Sequence, residues 1–255
     1  MTARAFLVRG LIAGLLAGIV CFAVAYTVGE QPVDDAIAFE DSAAAHHDEA
    51  SSHEHEGDDV VVSRQTQSTW GLATATLAYG TAVGGIMALF AAFAMGRVGR
   101  LRPQATTGLV VGLGFLSVIL LPYLKYPPDP PAVGNPDTIG IRTGDYFAMM
   151  VCSVAVVIVA TIVASRLVPR LGAYRGLLLT MAGAGVVLIA VSWALPSVDE
   201  VPTGFPADVL WRFRVASLTT QVALWATLGI VFVGLIGSLG KTQTQAQSRR
   251  ELVRT

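Results

Sequence analysis

Residues 70–95, WGLATATLAYGTAVGGIMALFAAFAM, run for 26 positions without a charged side chain. A helix rises about 1.5 Å per residue and the hydrocarbon core of a bilayer is about 30 Å thick, so this stretch is long enough to cross one. Hydrocarbon offers no partner to a bare N–H or C=O, which predicts a helix here rather than a loop or an open sheet.

Five further stretches share this character: Phe6–Val28, Ala105–Leu124, Tyr146–Ser165, Tyr174–Leu195 and Ala216–Leu239, with Arg9 and Arg175 near span ends as their only charges. Over all 255 residues, 53% are hydrophobic and 14% charged, against about 25% charged in soluble domains. Mean hydropathy is +0.61. The sequence predicts an all-α integral membrane protein, one domain over 1–255 built as a bundle of six transmembrane helices. The first span is longer than the roughly 7 to 15 apolar residues of a signal peptide, which predicts a retained helix. A net charge of −1 lacks the basic excess that nucleic-acid binding needs. Two cysteines, Cys21 and Cys152, make no disulfide framework.

Six spans place both termini on one side, and the charges divide accordingly. The terminal side holds 12 of the 17 basic residues and a single acid, Glu251, while the opposite side holds 17 of the 18 acids. By the positive-inside rule both termini are expected in the cytoplasm, and membrane lipid is the surrounding partner. Tyr26, Trp70, Tyr123, Tyr126, Tyr146, Trp193 and Trp211 then form a belt at the outer interface. Glycines recur every fourth residue at Gly10, Gly14 and Gly18, at Gly80 and Gly84, and at Gly108 and Gly112. Such stripes let helix backbones approach closely, within one bundle or between copies of a homo-oligomer.

The outer loop 29–69 is expected to be largely disordered, because its composition is too polar to pack. It carries every histidine of the chain, His46, His47, His53 and His55, interleaved with Asp48, Glu49, Glu54 and Glu56. Imidazole is the commonest metal ligand and carboxylates add oxygen donors, so the loop is expected to collect a divalent metal ion. An open N/O cluster follows the Irving–Williams order and should hold copper, nickel and zinc more tightly than cobalt, so selection of the metal is expected to lie deeper. Glu30, Asp34 and Asp35 stand where the first span leaves the membrane. Glu30 and Asp34 share a face if the helix continues past Pro32, and these three carboxylates are the expected entry to a cation path.

The second outer loop has five prolines between Pro127 and Pro136, which fixes a stiff connector with oxygens at Asp129 and Asp137. No span contains a histidine, so a haem held by transmembrane imidazoles is excluded, and no nucleophile is paired with a base. No enzyme and no tightly bound cofactor are expected.

The order of motifs is specific. A glycine-striped first helix, Glu30 at its exit and a His/acid loop lead into Val62-Ser63-Arg64-Gln65-Thr66-Gln67-Ser68-Thr69-Trp70, followed by Leu124-Lys125-Tyr126-Pro127, Gly134-Asn135-Pro136-Asp137-Thr138-Ile139-Gly140 and Phe205-Pro206-Ala207-Asp208-Val209-Leu210-Trp211-Arg212-Phe213-Arg214. Over essentially its whole length the chain resembles the CbtA family of cobalt transporter subunits. The resemblance implies a multi-pass protein of the bacterial plasma (inner) membrane that takes up cobalt for cobalamin synthesis. It also implies a small one-helix CbtB-type subunit as partner. The expected function is a membrane subunit of a divalent transition-metal transporter with cobalt as its substrate. A nickel or zinc transporter and a non-conducting metal-binding scaffold are the alternatives.

Overall fold

The computed structural model describes residues 2–48, 63–97 and 101–252, and among them every regular element is helical. Six helical runs among these residues are long and apolar enough to cross a membrane: Ala3–Ser42, Arg64–Ala94, Pro103–Lys125, Ile139–Leu171, Ala173–Ala194 and Ala207–Ser238. The protein is an all-α, six-span membrane protein.

The first run joins α1 (Ala3–Val24) through a π-helical turn, Ala25–Gly29, to α2 (Glu30–Asp48). The second starts at α3 (Arg64–Thr66), passes a π turn at Gln67–Gly71 and continues as α4 (Leu72–Ala94). The third links α5 (Pro103–Gly114) to α6 (Leu121–Lys125) through π-helical Phe115–Leu120. Helices α7 (Ile139–Leu171), α8 (Ala173–Ala194) and α9 (Ala207–Leu252) complete the bundle.

Close glycine packing decides the centre. A Cβ on Gly80 would stand 2.6 Å from Gly14 O, and one on Gly84 would stand 2.7 Å from Gly14 Cα. Helices α1 and α4 therefore touch backbone to backbone, a contact that dispersion favours where lipid supplies no hydrophobic drive. The stripe glycines of α1 and α4 are engaged within one chain. Helix α9 lies against α1 and α5, with Leu224, Trp225, Leu228, Phe232 and Ile236 buried against Phe6, Ala17, Ala88 and Val111. Phe6 and Phe232 meet edge to face at 6.3 Å, and Arg9 Nε donates to Leu235 O at 3.2 Å, so the start of α1 and the 232–236 stretch of α9 lie at one end of the bundle. The opposite end is the distal end.

Buried hydroxyls do not stay bare. Thr76, Thr107, Ser117, Ser153 and Thr180 each donate to the carbonyl four residues back, at 2.8–2.9 Å, as a membrane interior requires. Helices α7 and α8 form a tight hairpin through Gly172, whose φ of +80° suits glycine. The hairpin meets the rest of the bundle mainly at the Phe115–Leu120 turn and at α6.

Several boundaries differ from the sequence expectation. The first helix does not stop at Val28, and residues 30–48 of the expected loop are helical. Pro32 does not break the run, because the π turn shifts the carbonyl register ahead of it and its missing N–H falls in the first turn of α2. Helices α7 and α9 start at Ile139 and Ala207, ahead of the apolar stretches beginning at Tyr146 and Ala216, because helix continues where composition turns polar.

Candidate functional site

The distal end is organised by α2, the proline-rich segment after Tyr126, the segment after Leu195, and the first turns of α7 and α9. A small apolar cluster of Ala36, Phe205 and Val209 docks α2 onto these segments, with Phe39 and Phe205 in edge contact at 5.2 Å.

Charges do the rest of the joining. Glu30 and Asp34, four apart on the continuous helix, both pair with Arg64, and Arg64 Nε lies 3.1 Å from Asp34 Oδ1. Asp35 pairs with Arg212 at 2.9 Å. Arg214 donates to Asp129 Oδ1 at 2.8 Å and to Pro128 O at 3.4 Å, tying the proline segment to α9. Arg142 lies 4.0 Å from Asp129 Oδ2 and its Nε lies 3.3 Å from Glu200 Oε2, the latter without the alignment of a hydrogen bond. Gly134 makes room for this guanidinium, since a Cβ there would come within 2.5 Å of it, and its φ of +117° suits glycine alone.

Glu200 accepts from Thr138 Oγ1 at 2.6 Å and from the Asn135 N–H at 2.8 Å. These two bonds, followed by the Arg142 charge, hold its carboxyl below the ordinary 4.5 despite partial desolvation. A carboxylate with a depressed folded pKa stabilises the fold above its unfolded value and loses that contribution as pH falls through the folded one. Thermal stability is therefore expected to drop as pH descends below 4.5, and Glu200→Gln should remove that component. An identical acid profile in both proteins would contradict the clip.

Beneath the proline segment lies a cavity of about 750 Å³. Ala25 and Gly29 of one π turn and Ile119 of another line it, and Leu72 follows the third. Interruptions of this kind free backbone geometry where a site is built. Its charged lining consists of Glu30, Asp129, Arg142 and Arg214, and its wall carries Tyr123, Tyr126 and Tyr146. Two buried polar atoms here lack a hydrogen-bond partner, Arg142 Nε and Gln221 Oε1.

Of the metal-ligand candidates, Glu30 lines the cavity, whereas Asp34 and Asp35 sit outside it in ion pairs. His46, His47 and Asp48 belong to the last turn of α2; their side chains, together with Glu49, His53, Glu54, His55 and Glu56, lie outside the described residues. Among the described residues no three His, Cys, Asp or Glu side chains converge as a metal site. Sequence reasoning does not single out Arg142, Arg214, Glu200 or Gln221. Their signal is present in one form, as basic residues on an otherwise acidic side and an amide inside an apolar span.

No curated protein and no solved structure matches the chain. A family model described as a probable cobalt transporter subunit matches residues 3–237, which reaches all six spans and takes in every cavity-lining residue. The chain belongs to the CbtA family.

Proposed function

We propose that this protein is the membrane subunit through which cobalt enters a bacterial cell across the plasma membrane, with both termini in the cytoplasm and the distal cavity facing out. The observation that carries the reading is the family match over the full six-span bundle, with a charged cavity at its distal end. The placement of 12 of 17 basic residues on the terminal side supports the orientation.

In this reading His46, His47, His53 and His55, with Asp48, Glu49, Glu54 and Glu56, gather the divalent ion outside the membrane. Glu30, Asp34 and Asp35 then exchange their guanidinium partners for it, Glu30 at the cavity wall and Asp34 and Asp35 outside it. A one-helix CbtB-type subunit and a second copy of the chain are the partners this reading implies, and lipid surrounds the rest. The protein holds no resident cofactor and performs no bond chemistry.

Purified protein in liposomes loaded with a metal-sensitive dye is expected to admit cobalt down its gradient, with nickel and zinc competing less well. Absence of flux for all three metals, with the partner subunit supplied, would leave the non-conducting scaffold. Replacing the four loop histidines with alanine should slow entry several-fold at scarce cobalt and little at saturating cobalt. Equal loss at every concentration would make the loop part of the path.

A further inference from the structure

Arginines on the two sides of the molecule keep different company. At the distal end Arg64, Arg142, Arg212 and Arg214 each reach a carboxylate. The terminal side of the sequence holds a single acid, Glu251. There Arg9 and Arg97 turn back onto helix carbonyls, those of Leu235 and Phe93. Arg166, Arg170 and Arg175 do neither. All three are exposed, and among the described residues none of them has a hydrogen bond or an ion pair.

Their positions follow from the length of α7. The charge-free run 146–165 gives about 30 Å of helix, enough to fill the hydrocarbon. It delivers Arg166 and Arg170, four apart on a shared face, to headgroup depth. The chain returns through Gly172, and Arg175 stands in the first turn of α8. A Cβ on Gly176 would lie 2.8 Å from Val168 Cα, so the two helices touch backbone to backbone at this level. Arg166 and Arg170 are each two residues from that contact and Arg175 is one residue from it. Three guanidiniums, which stay charged at any working pH, therefore spread from one point with no anion of the described chain to balance them.

The flanks specify where the anion comes from. Ile162, Leu171, Tyr174 and Leu178 beside these arginines are exposed, and α8 packs on little but α7. A soluble phosphate would meet the charges and leave this apolar surface bare. A phospholipid meets both, its phosphate in charge-assisted hydrogen bonds and its chains along the helices.

We propose that the turn end of the α7–α8 hairpin binds an anionic phospholipid, with its phosphate held by Arg166, Arg170 and Arg175. The hairpin meets the rest of the bundle mainly at the Phe115–Leu120 turn and at α6, toward the distal end. The lipid thus anchors the end of the hairpin that the bundle leaves unsupported. This goes beyond the transport reading and does not depend on it.

The test is titration of the full-length chain in detergent with phosphatidylglycerol and with phosphatidylcholine, with bound lipid counted by native mass spectrometry. Phosphatidylglycerol is expected to bind about tenfold tighter or more, to raise the thermal transition, and to resist competition by millimolar inorganic phosphate. Replacing all three arginines with glutamine should reduce it to the level of phosphatidylcholine. Each single replacement should cost several-fold, and Arg170→Lys should retain most of the binding. These single variants carry the test if the triple variant loses its thermal transition. Arg97→Gln, which removes a basic residue already engaged with its own helix, should bind as the parent does. Equal binding of the two lipids overturns the proposal, as does a preference that survives in the triple variant. Displacement by inorganic phosphate would make the ligand a free anion, and equal loss in Arg97→Gln would make the preference one of overall charge; either result also overturns it.

Discussion

Replacing Gly84 with valine is expected to abolish the folded bundle. Its Cβ would stand 2.7 Å from Gly14 Cα and 2.9 Å from Gly14 N, so the obstacle is backbone of the neighbouring helix. Overpacking a core with side chains that can move costs about 1–3 kcal/mol; here relief requires α1 and α4 to separate, and the cost should exceed that range. Separation would also disturb α9, which packs on α1 through the Phe6–Phe232 contact. The readout is the yield of monodisperse protein in detergent and its thermal transition, with Gly183→Val as the comparison. A Cβ added at Gly183, on α8, would meet no atom within 4 Å, so this valine variant should behave as the parent. Equal behaviour of the two variants would contradict the α1–α4 contact.

Asp129→Asn is expected to release the proline segment from the bundle. One carboxylate serves two guanidiniums, Arg214 at 2.8 Å and Arg142 at 4.0 Å, and side-chain exposure is 21% for Asp129, 27% for Arg214 and 23% for Arg142. Removing Asp129 leaves Arg214 uncompensated while Arg142 keeps Glu200 at 3.3 Å, and an uncompensated charge costs about 3–5 kcal/mol when burial is complete. With roughly a fifth of each group in solvent, the discounted cost is about 1–2 kcal/mol. The roof of the cavity should become accessible to protease between Tyr126 and Asn135, and the melting temperature should fall by several degrees. Arg212→Gln is a useful comparison. Its pairs with Asp35 and Asp208 are more exposed, with side-chain exposures of 46% for Arg212, 41% for Asp35 and 72% for Asp208, and its loss should matter less. A larger effect of Arg212→Gln than of Asp129→Asn would reverse the ranking.

The six spans are legible because bilayer thickness imposes a length and a composition that a charge-free run such as 70–95 meets directly. Their distal ends are less so. Hydropathy falls silent once a helix leaves lipid, and nothing in it marks Ile139 or Ala207 as helix starts. The pairing of Glu30 with Asp34 is readable from helical spacing, but their shared partner Arg64 lies across a long insertion. Asp129 reads in sequence only as an oxygen on a stiff connector. Its bond to Arg214 spans 85 positions, and no local pattern encodes a contact of that separation. Histidine clustering is the strongest local signal in the chain, and its side chains fall outside the described residues.

The π turn at Ala25–Gly29, which carries the first helix past Pro32, is also a phase shifter. A π turn holds one residue more than the α-helix it interrupts, and one residue of α-helix corresponds to a rotation of about 100°. A single backbone unit between Ala25 and Gly29 therefore sets the azimuth of everything beyond it. Without that unit Glu30 would turn away from the cavity it lines, and Asp34 would turn from Arg64. The angular register of the distal acids is thus held by a count of residues, independent of which side chains occupy the turn.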